Sequence, residues 1–302
     1  MAVNDLISVP DYNNIRNAIV DVMSTGSATF GYGQNLQSTA VYAGDSVSKS
    51  QWDNLRFDIV NAIVHQTGSL PSITIPAEGD LIRYGVALPN YQYLTLANQA
   101  RTNRFDIGTG QYATESGRSG TSGTIGFSSY ARTSITITFA SATEARYFFN
   151  SGGKIRMAAS FAETAGGPAQ YASWRTLLTN AGTVSFGGNS PAVNFYNLTT
   201  SDQTYSSIAG SSPYGSNRWN LKAKCNVANN SSGTATSITI TSEFLDNYTD
   251  PGSPPPGDYA SGSFTVTASQ LRAVGSLYPN LEPASFSAPS PSYGTFSAFT
   301  YA

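Results

Sequence analysis

Few side chains in this sequence could do chemistry. It holds one histidine, His65, and one cysteine, Cys225. A general base needs a partner that orients it, and the nearest preceding carboxylate, Asp58, lies about two helical turns back. His65 instead closes a helical pattern, where a cation near the C-terminus is favourable by about 0.3–1 kcal/mol. It reads as a helix-end cation. Cys225 falls on an inward position of an alternating strand and reads as a small core hydrophobe, with nothing beside it to stabilise a thiolate. A lone cysteine excludes an intrachain disulfide, and a lone histidine excludes a histidine-cluster metal site. The run Gly117-Arg-Ser-Gly120-Thr-Ser-Gly123 lacks the Gly-Lys-[Ser/Thr] ending and the apolar helix of a phosphate loop, so a flexible surface loop is expected. Carboxylates are scattered. A glycosidase pair brought together only by the fold would leave no local trace. The reading is therefore non-enzymatic, with no catalytic residue, no cofactor and no metal.

Composition narrows the classes further. Of 302 residues only 11% are charged, with Lys+Arg 16 against Asp+Glu 18 and a net charge of -2. That excludes the basic patch of a nucleic-acid protein. No apolar run reaches the length of a membrane helix, so no membrane insertion is expected. The start, Met1 to Asp5, has no basic region leading into an apolar one, so no secretory leader is expected. The matches to the N-glycosylation pattern at Asn197, Asn229, Asn230 and Asn247 are then chance. Hydrophobic residues make up 40%, enough for a sizeable core, and Gly 28 with Pro 15 punctuate many short elements.

Two stretches match at an offset of 40: Asp11–Met23 and Gln51–Ile63. Tyr12 aligns with Trp52, Ile15 with Leu55, Arg16 with Arg56 and Ile19 with Ile59. Ser8-x-x-Asp11 and Ser48-x-x-Gln51 both read as helix starts, Gln fitting the capping box better than Asp. Apolar residues recur at helical spacing, which predicts two amphipathic helices. Neither could bury its stripe alone, so Tyr12, Ile15, Trp52, Leu55 and Ile59 become candidate assembly contacts, covered by each other, by the rest of the chain or by another subunit. The connecting stretch from Gly26 to Asp45 reads as a loop around Phe30-Gly-Tyr32.

Residues 71–127 are mixed: a short strand at Ser72–Ile75, an undecided stretch from Leu81 to Leu96, and a loop over 108–126. From about 128 the period becomes two, with Ile135, Ile137 and Phe139, then Ile155, Met157 and Phe161, then Trp219, Leu221, Ala223 and Cys225. Ile238 and Ile240, and Phe264 and Val266, follow. That alternation predicts an antiparallel two-sheet β-sandwich, with one helix over Tyr171–Leu178. Asp250–Gly257 reads as a stiff Pro-rich loop. The tail carries Phe286, Tyr293, Phe296, Phe299 and Tyr301 amid prolines and almost no charge. Such a segment cannot build its own core, so it reads as an extended strap whose Tyr293, Phe296, Phe299 and Tyr301 are further candidate assembly contacts. The expected fold class is mainly β with a small α part: an N-terminal helical repeat over 1–70, a connecting region over 71–127, the sandwich over 128–278 and the strap over 279–302.

The paired Asn-[Ile/Leu]-Arg helices, the second running from Gln51-Trp-Asp-Asn-Leu-Arg to His65-Gln-Thr-Gly68, resemble segments in structural proteins of tailed bacteriophages, especially cyanophages. Glu144-Ala-Arg-Tyr-Phe-Phe-Asn-Ser-Gly-Gly153-Lys-Ile-Arg156, followed by Trp174-x-x-Leu-Leu178 and Gly182–Gly187, is similar to a segment of such virion proteins. The resemblance touches about half of the chain and carries over no catalytic residue. It implies a virion part built in the host bacterial cytoplasm, with copies of itself and other virion proteins as partners. A tail or baseplate appendage is the leading expectation. The alternative is a tail-fibre module that binds host surface glycan, and behind it stand a head-surface or decoration protein and a glycan-cleaving enzyme.

Overall fold

The computed structural model describes residues 8–73, 93–163, 169–190, 192–249, 260–275 and 286–302. The expected strand beyond Ile73, the undecided stretch up to residue 92, the loop over 250–257 and the first part of the strap lie outside them. The chain divides into two compact units, each built from discontinuous segments. The first comprises Met1–Ala113, Arg146–Gly153 and Arg272–Pro289; the second comprises Thr114–Ala145, Lys154–Leu271 and Ser290–Ala302. Linear boundaries at 70, 127 and 278 do not coincide with this division.

In the first unit, helix α1 spans Val9–Met23, α2 spans Lys49–Thr67 and α3 spans Tyr93–Thr102. The two serine starts differ as their chemistry requires. At α2 the Ser48 hydroxyl accepts from Gln51 N–H at 3.3 Å while Gln51 Oε1 accepts from Ser48 N–H at 2.8 Å. At α1 the shorter Asp11 carboxylate accepts hydrogen bonds from the Ser8 N–H at 2.9 Å and from the Ser8 hydroxyl. Gly68, left-handed at φ 72°, ends α2. The apolar stripes meet inside the unit: Tyr12 and Ile19 are fully buried with Leu55 and Ile59, alongside Ile15, Trp52, Tyr93 and Phe286. The Trp52 ring stands edge-on to Tyr12 at 5.4 Å and to Tyr93 at 5.0 Å. The polar residues of the helices hold the 26–45 loop. Asn13 exchanges two hydrogen bonds with the Val41 backbone, Arg16 Nε donates to Ser38 O, and Asp58 accepts the amides of Gln37 and Ser38.

Helix α4, Ala142–Asn150, delivers the aromatic-Asn-Ser-Gly-Gly motif into this unit. Phe148 and Phe149 are both fully buried, Asn150 Nδ2 donates to Ala28 O and Gly31 O, and Gly152 turns at φ 85°. Ser151 O receives the Nε2–H of His65 at 2.9 Å. His65 is therefore no helix-end cation. It is fully buried against Tyr32 and Phe286, and burial lowers its pKa to about 4. Its Nδ1 has no hydrogen-bond partner among the described residues, which suits a neutral ring and would leave a second proton unsatisfied.

The second unit carries two antiparallel sheets. One has the order β1-β9-β4-β5, with β1 at Tyr112–Thr121, β4 at Lys154–Glu163, β5 at Thr183–Phe186 and β9 at Ala260–Ala273; the short β2, Ile125–Phe127, also pairs β9. The other has β3 (Tyr130–Thr138), β8 (Ser237–Leu245), β7 (Arg218–Cys225) and β6 (Gln203–Ala209) side by side, with β10 (Ser292–Tyr293) and β11 (Thr300–Tyr301) along β3. Inward rings of the two sheets meet, Phe244 of β8 stacking on Phe264 of β9 at 3.9 Å. Helix α5, Ala169–Ala181, sets Trp174 edge-on to both. At the far side Phe186 meets Tyr205 at 5.2 Å. Cys225 is buried at the inward register expected of it, and burial raises its pKa. No helix among the described residues is long and apolar enough to cross a membrane.

The expected loop over 108–126 is corrected to two strands, β1 and β2. The inward positions of β1 carry Glu115, Gly117 and Gly120 rather than large apolar residues, whereas the three-residue β2 buries Ile125 and Phe127. Among these short or polar positions the period of two leaves no hydrophobic trace.

Trp52→Ala is expected to lower unfolding free energy by about 3–5 kcal/mol in denaturant titrations, the range for emptying a packed aromatic site. His65 sets a pH dependence. The unfolded chain binds its proton near 6.5 and the folded chain only near 4, so stability is full above 6.5 and falls by about 3 kcal/mol as pH drops to 4. Asp58, whose pKa burial raises, acts with the opposite sign. His65→Gln should therefore remove the fall, and comparing acid titrations of the two proteins isolates it.

Candidate functional site: the C-terminal strap

The tail after Pro291 has small and hydroxyl residues between its aromatics, so it can lie flat along a strand. It pairs antiparallel with β3, Ser292 opposite Thr138 and Tyr293 opposite Ile137, then Thr300 opposite Arg132 and Tyr301 opposite Ala131. Between these pairs Gly294 N–H donates to Thr136 O at 2.9 Å and Ser297 N–H to Ser134 O at 2.8 Å. The Thr133 hydroxyl donates to Ser297 O at 2.7 Å, and the Ser297 hydroxyl accepts the Ser134 N–H at 2.9 Å. Ala302 continues the ladder, its N–H on Tyr130 O. The tail thus runs along the β3 edge, paired as a strand at both ends and held between them by single hydrogen bonds.

Two aromatic side chains lock it. The inward–outward alternation of β1 slips at Arg118–Ser119, both exposed, so that Gly117 and Gly120 both face inward. A Cβ on Gly117 would come within 2.9 Å of the Tyr293 ring, and one on Gly120 within 2.6 Å of Phe296 Cβ. At Gly120 the room of a side chain is taken by Phe296, and at Gly117 by the Ala268 carbonyl together with the Tyr293 ring. The Tyr293 hydroxyl donates to Ser269 O at 3.0 Å, and burial together with the nearby Glu115 carboxylate raises the phenol pKa. Beside it Gln270, buried on β9, donates through Nε2 to Glu115 and to Ser290 Oγ.

The nine residues expected at assembly contacts separate into two groups. Tyr12, Ile15, Trp52, Leu55 and Ile59 are at most 2% exposed inside their own unit. Their stripes are covered by the same chain, one of the alternatives left open by the sequence. Tyr293, Phe296 and Phe299 are half-buried, and Tyr301 remains 51% exposed. The expected strap is itself divided: Phe286 and Ala288 belong to the core of the first unit, Phe286 N–H bonding Gly275 O and Ala288 N–H bonding Ala273 O, and only 290–302 line the second. Gly117 and Gly120 escaped sequence reasoning as parts of this site. Their only signal, glycine in place of apolar residues, matches a loop equally well.

The site can hold chain by backbone pairing and ring burial. Among the described residues no three His, Cys, Asp or Glu side chains gather as a metal site. No protein-family model, no curated protein and no solved structure matches the chain.

Gly120→Val is expected to expel the Phe296 ring and loosen the strap, removing about 1.5–3 kcal/mol of anchoring. Amide hydrogen exchange at Gly294 and Ser297 should quicken in that variant. Adding Phe296→Ala to Gly120→Val should cost less than the sum of the single changes, because both act at one contact.

Proposed function

We propose that this protein is a non-enzymatic structural subunit of a tailed-phage virion, a tail or baseplate appendage assembled through contacts with its own copies and with other virion proteins. In this reading the helices α1 and α2 are copies of one motif that build a scaffold, and the two sheets form a β-sandwich that faces outward. The observation that carries the reading is the strap. An extended, nearly uncharged segment forms an edge strand by backbone bonds and two ring anchors, a mode of attachment one subunit can lend to another. The motif from Tyr147 to Gly153 supports it from the sequence side. Each of its resembling residues has a packing role, Tyr147 against Gly33, Phe148 and Phe149 in the core, Asn150 capping the 28–31 backbone and Gly152 making the turn. The low charge suits a subunit that buries surface against others.

Labelled antibody against the chain should decorate intact particles at one fixed position, and a protein cut after Ser290 should enter particles at a small fraction of the full-length level. The cut spares Phe286 and Ala288, so the first unit keeps its core. Chain recovered only outside particles, or normal incorporation of the shortened protein, would overturn the reading.

A further inference from the structure

Beside the strap the second unit holds a trough of about 380 Å³ lined by Arg132, Thr133, Ser134, Asp202, Thr241, Ser297, Ala298 and Thr300. Its volume sits at the lower end of small-ligand sites, which run from about 300 to 1,000 Å³. Arg132 and Ser134 stand outward on β3, Thr241 is the partner of Ser134 on β8, and Ser297 to Thr300 come from the strap. Five of the eight lining residues carry hydroxyls, and one cation and one anion complete the polar set.

The lining is specific in what it can recognise. Each hydroxyl both donates and accepts, as does each hydroxyl of a sugar ring. The Arg132 guanidinium is held by Nε donating to Thr300 Oγ1 at 3.2 Å and by its Cζ lying over the Tyr130 ring, 4.9 Å from the ring centre. Among the described residues its two terminal nitrogens have no protein partner, and Arg132 lines the trough, so a planar pair of donors is left for a ligand there. Asp202 offers acceptors on another wall; one of its oxygens lies 3.3 Å from Lys224 Nζ, a pair exposed enough for water or ligand to compete. A donor fork and a carboxylate match the vicinal diols of a saccharide, while their opposite charges give no preference for an anion. An apolar ligand would leave these groups desolvated and unpaired, which costs about 1–3 kcal/mol for each buried one.

The geometry points to this trough as a binding site for a neutral saccharide of one or two rings, held by hydroxyl-to-hydroxyl bonds and by Arg132 and Asp202 on paired ring hydroxyls. This assignment does not depend on a place in a virion. The strap supplies one wall, so the site exists only in the strapped state.

The test is an amide-shift titration of the full chain with maltose, lactose, cellobiose and diacetylchitobiose at millimolar concentration, with inorganic phosphate as the charged control. At least one sugar should shift the amides of residues 132–134, 202, 241 and 297–300 as a group, and phosphate should not. Thr241→Val keeps the shape and suits a strand, and Arg132→Gln keeps one polar end; each should weaken the binding about tenfold, close to the loss of one hydrogen bond to a charged or hydroxyl partner. Thr267→Val, outward on the other sheet, should leave it unchanged. No shift with any of the four sugars, shifts that survive both trough variants, or equal shifts with phosphate would overturn the assignment.

Discussion

The edge of β3 decides how the second unit can exist alone. A nine-residue strand with alternating Ile and Thr presents on its free side a row of unpaired N–H and C=O groups, a ready template for any other extended chain. The chain answers with its own tail, and the answer depends on shape as well as hydrogen bonds. Backbone pairing between a tail of small residues and a strand is worth little net, since water satisfies the same groups in the open state. Tyr293 and Phe296 supply the apolar burial that tips the balance, and they can be buried only because Gly117 and Gly120 leave room on β1. Three segments distant in sequence, near 117, 134 and 296, therefore have to be compatible for one edge to close.

The first unit rests on a similar condition. Helices of 15 and 19 residues are marginal by themselves, and their stripes are stabilised by mutual burial and by segments that arrive late in the chain. Phe286 closes over Tyr32 and His65, and the Phe148–Phe149 pair comes in with Ser151, whose carbonyl gives His65 its one hydrogen bond. Burial of an imidazole with a single partner favours the neutral form, so the histidine behaves as an aromatic core residue with one polar edge.

What the sequence made legible follows the range of the information. The starts of α1 and α2 depend on residues three apart, and both serines stand where a capping box predicts them. The strands β3 and β7 have one buried face and read as strict alternations, with Cys225 inward as its register required, and β4 and β8 alternate over their first halves. The parts that were illegible depend on distant partners. β1 reads as a loop in the sequence because its inward face is complementary to tail rings far along the chain, and a glycine selected for fit looks like one selected for flexibility. The place of His65 at a helix end predicts a charge by a rule that holds for exposed ends, whereas Ser151 and Phe286 bury it. The trough residues Arg132, Asp202 and Thr241 carry no shared spacing, since strand pairing and a loop bring them together.

The edges also constrain how copies could associate. On the sheet that holds the strap, the opposite edge is β6, whose register against β7 shifts between Thr204 and Ser206. Such an irregularity twists an edge strand away from flat pairing. On the other sheet the last strand, β5, is only four residues long, and β1 at the far edge slips at Arg118–Ser119. None of these offers a long regular ladder to a neighbour. The long regular edge is that of β3, and it is occupied. A second copy can pair there only by displacing the strap or by exchanging it for its own, and exchange preserves every backbone bond and both ring anchors while converting an intramolecular contact into a coupling between subunits. The free-energy difference between the closed and exchanged forms then lies in the chain that carries the strap across and in the protein concentration, not in the interface itself. An edge closed this way is both a safeguard against unspecific pairing in the separate chain and the surface best suited to specific pairing in an assembly.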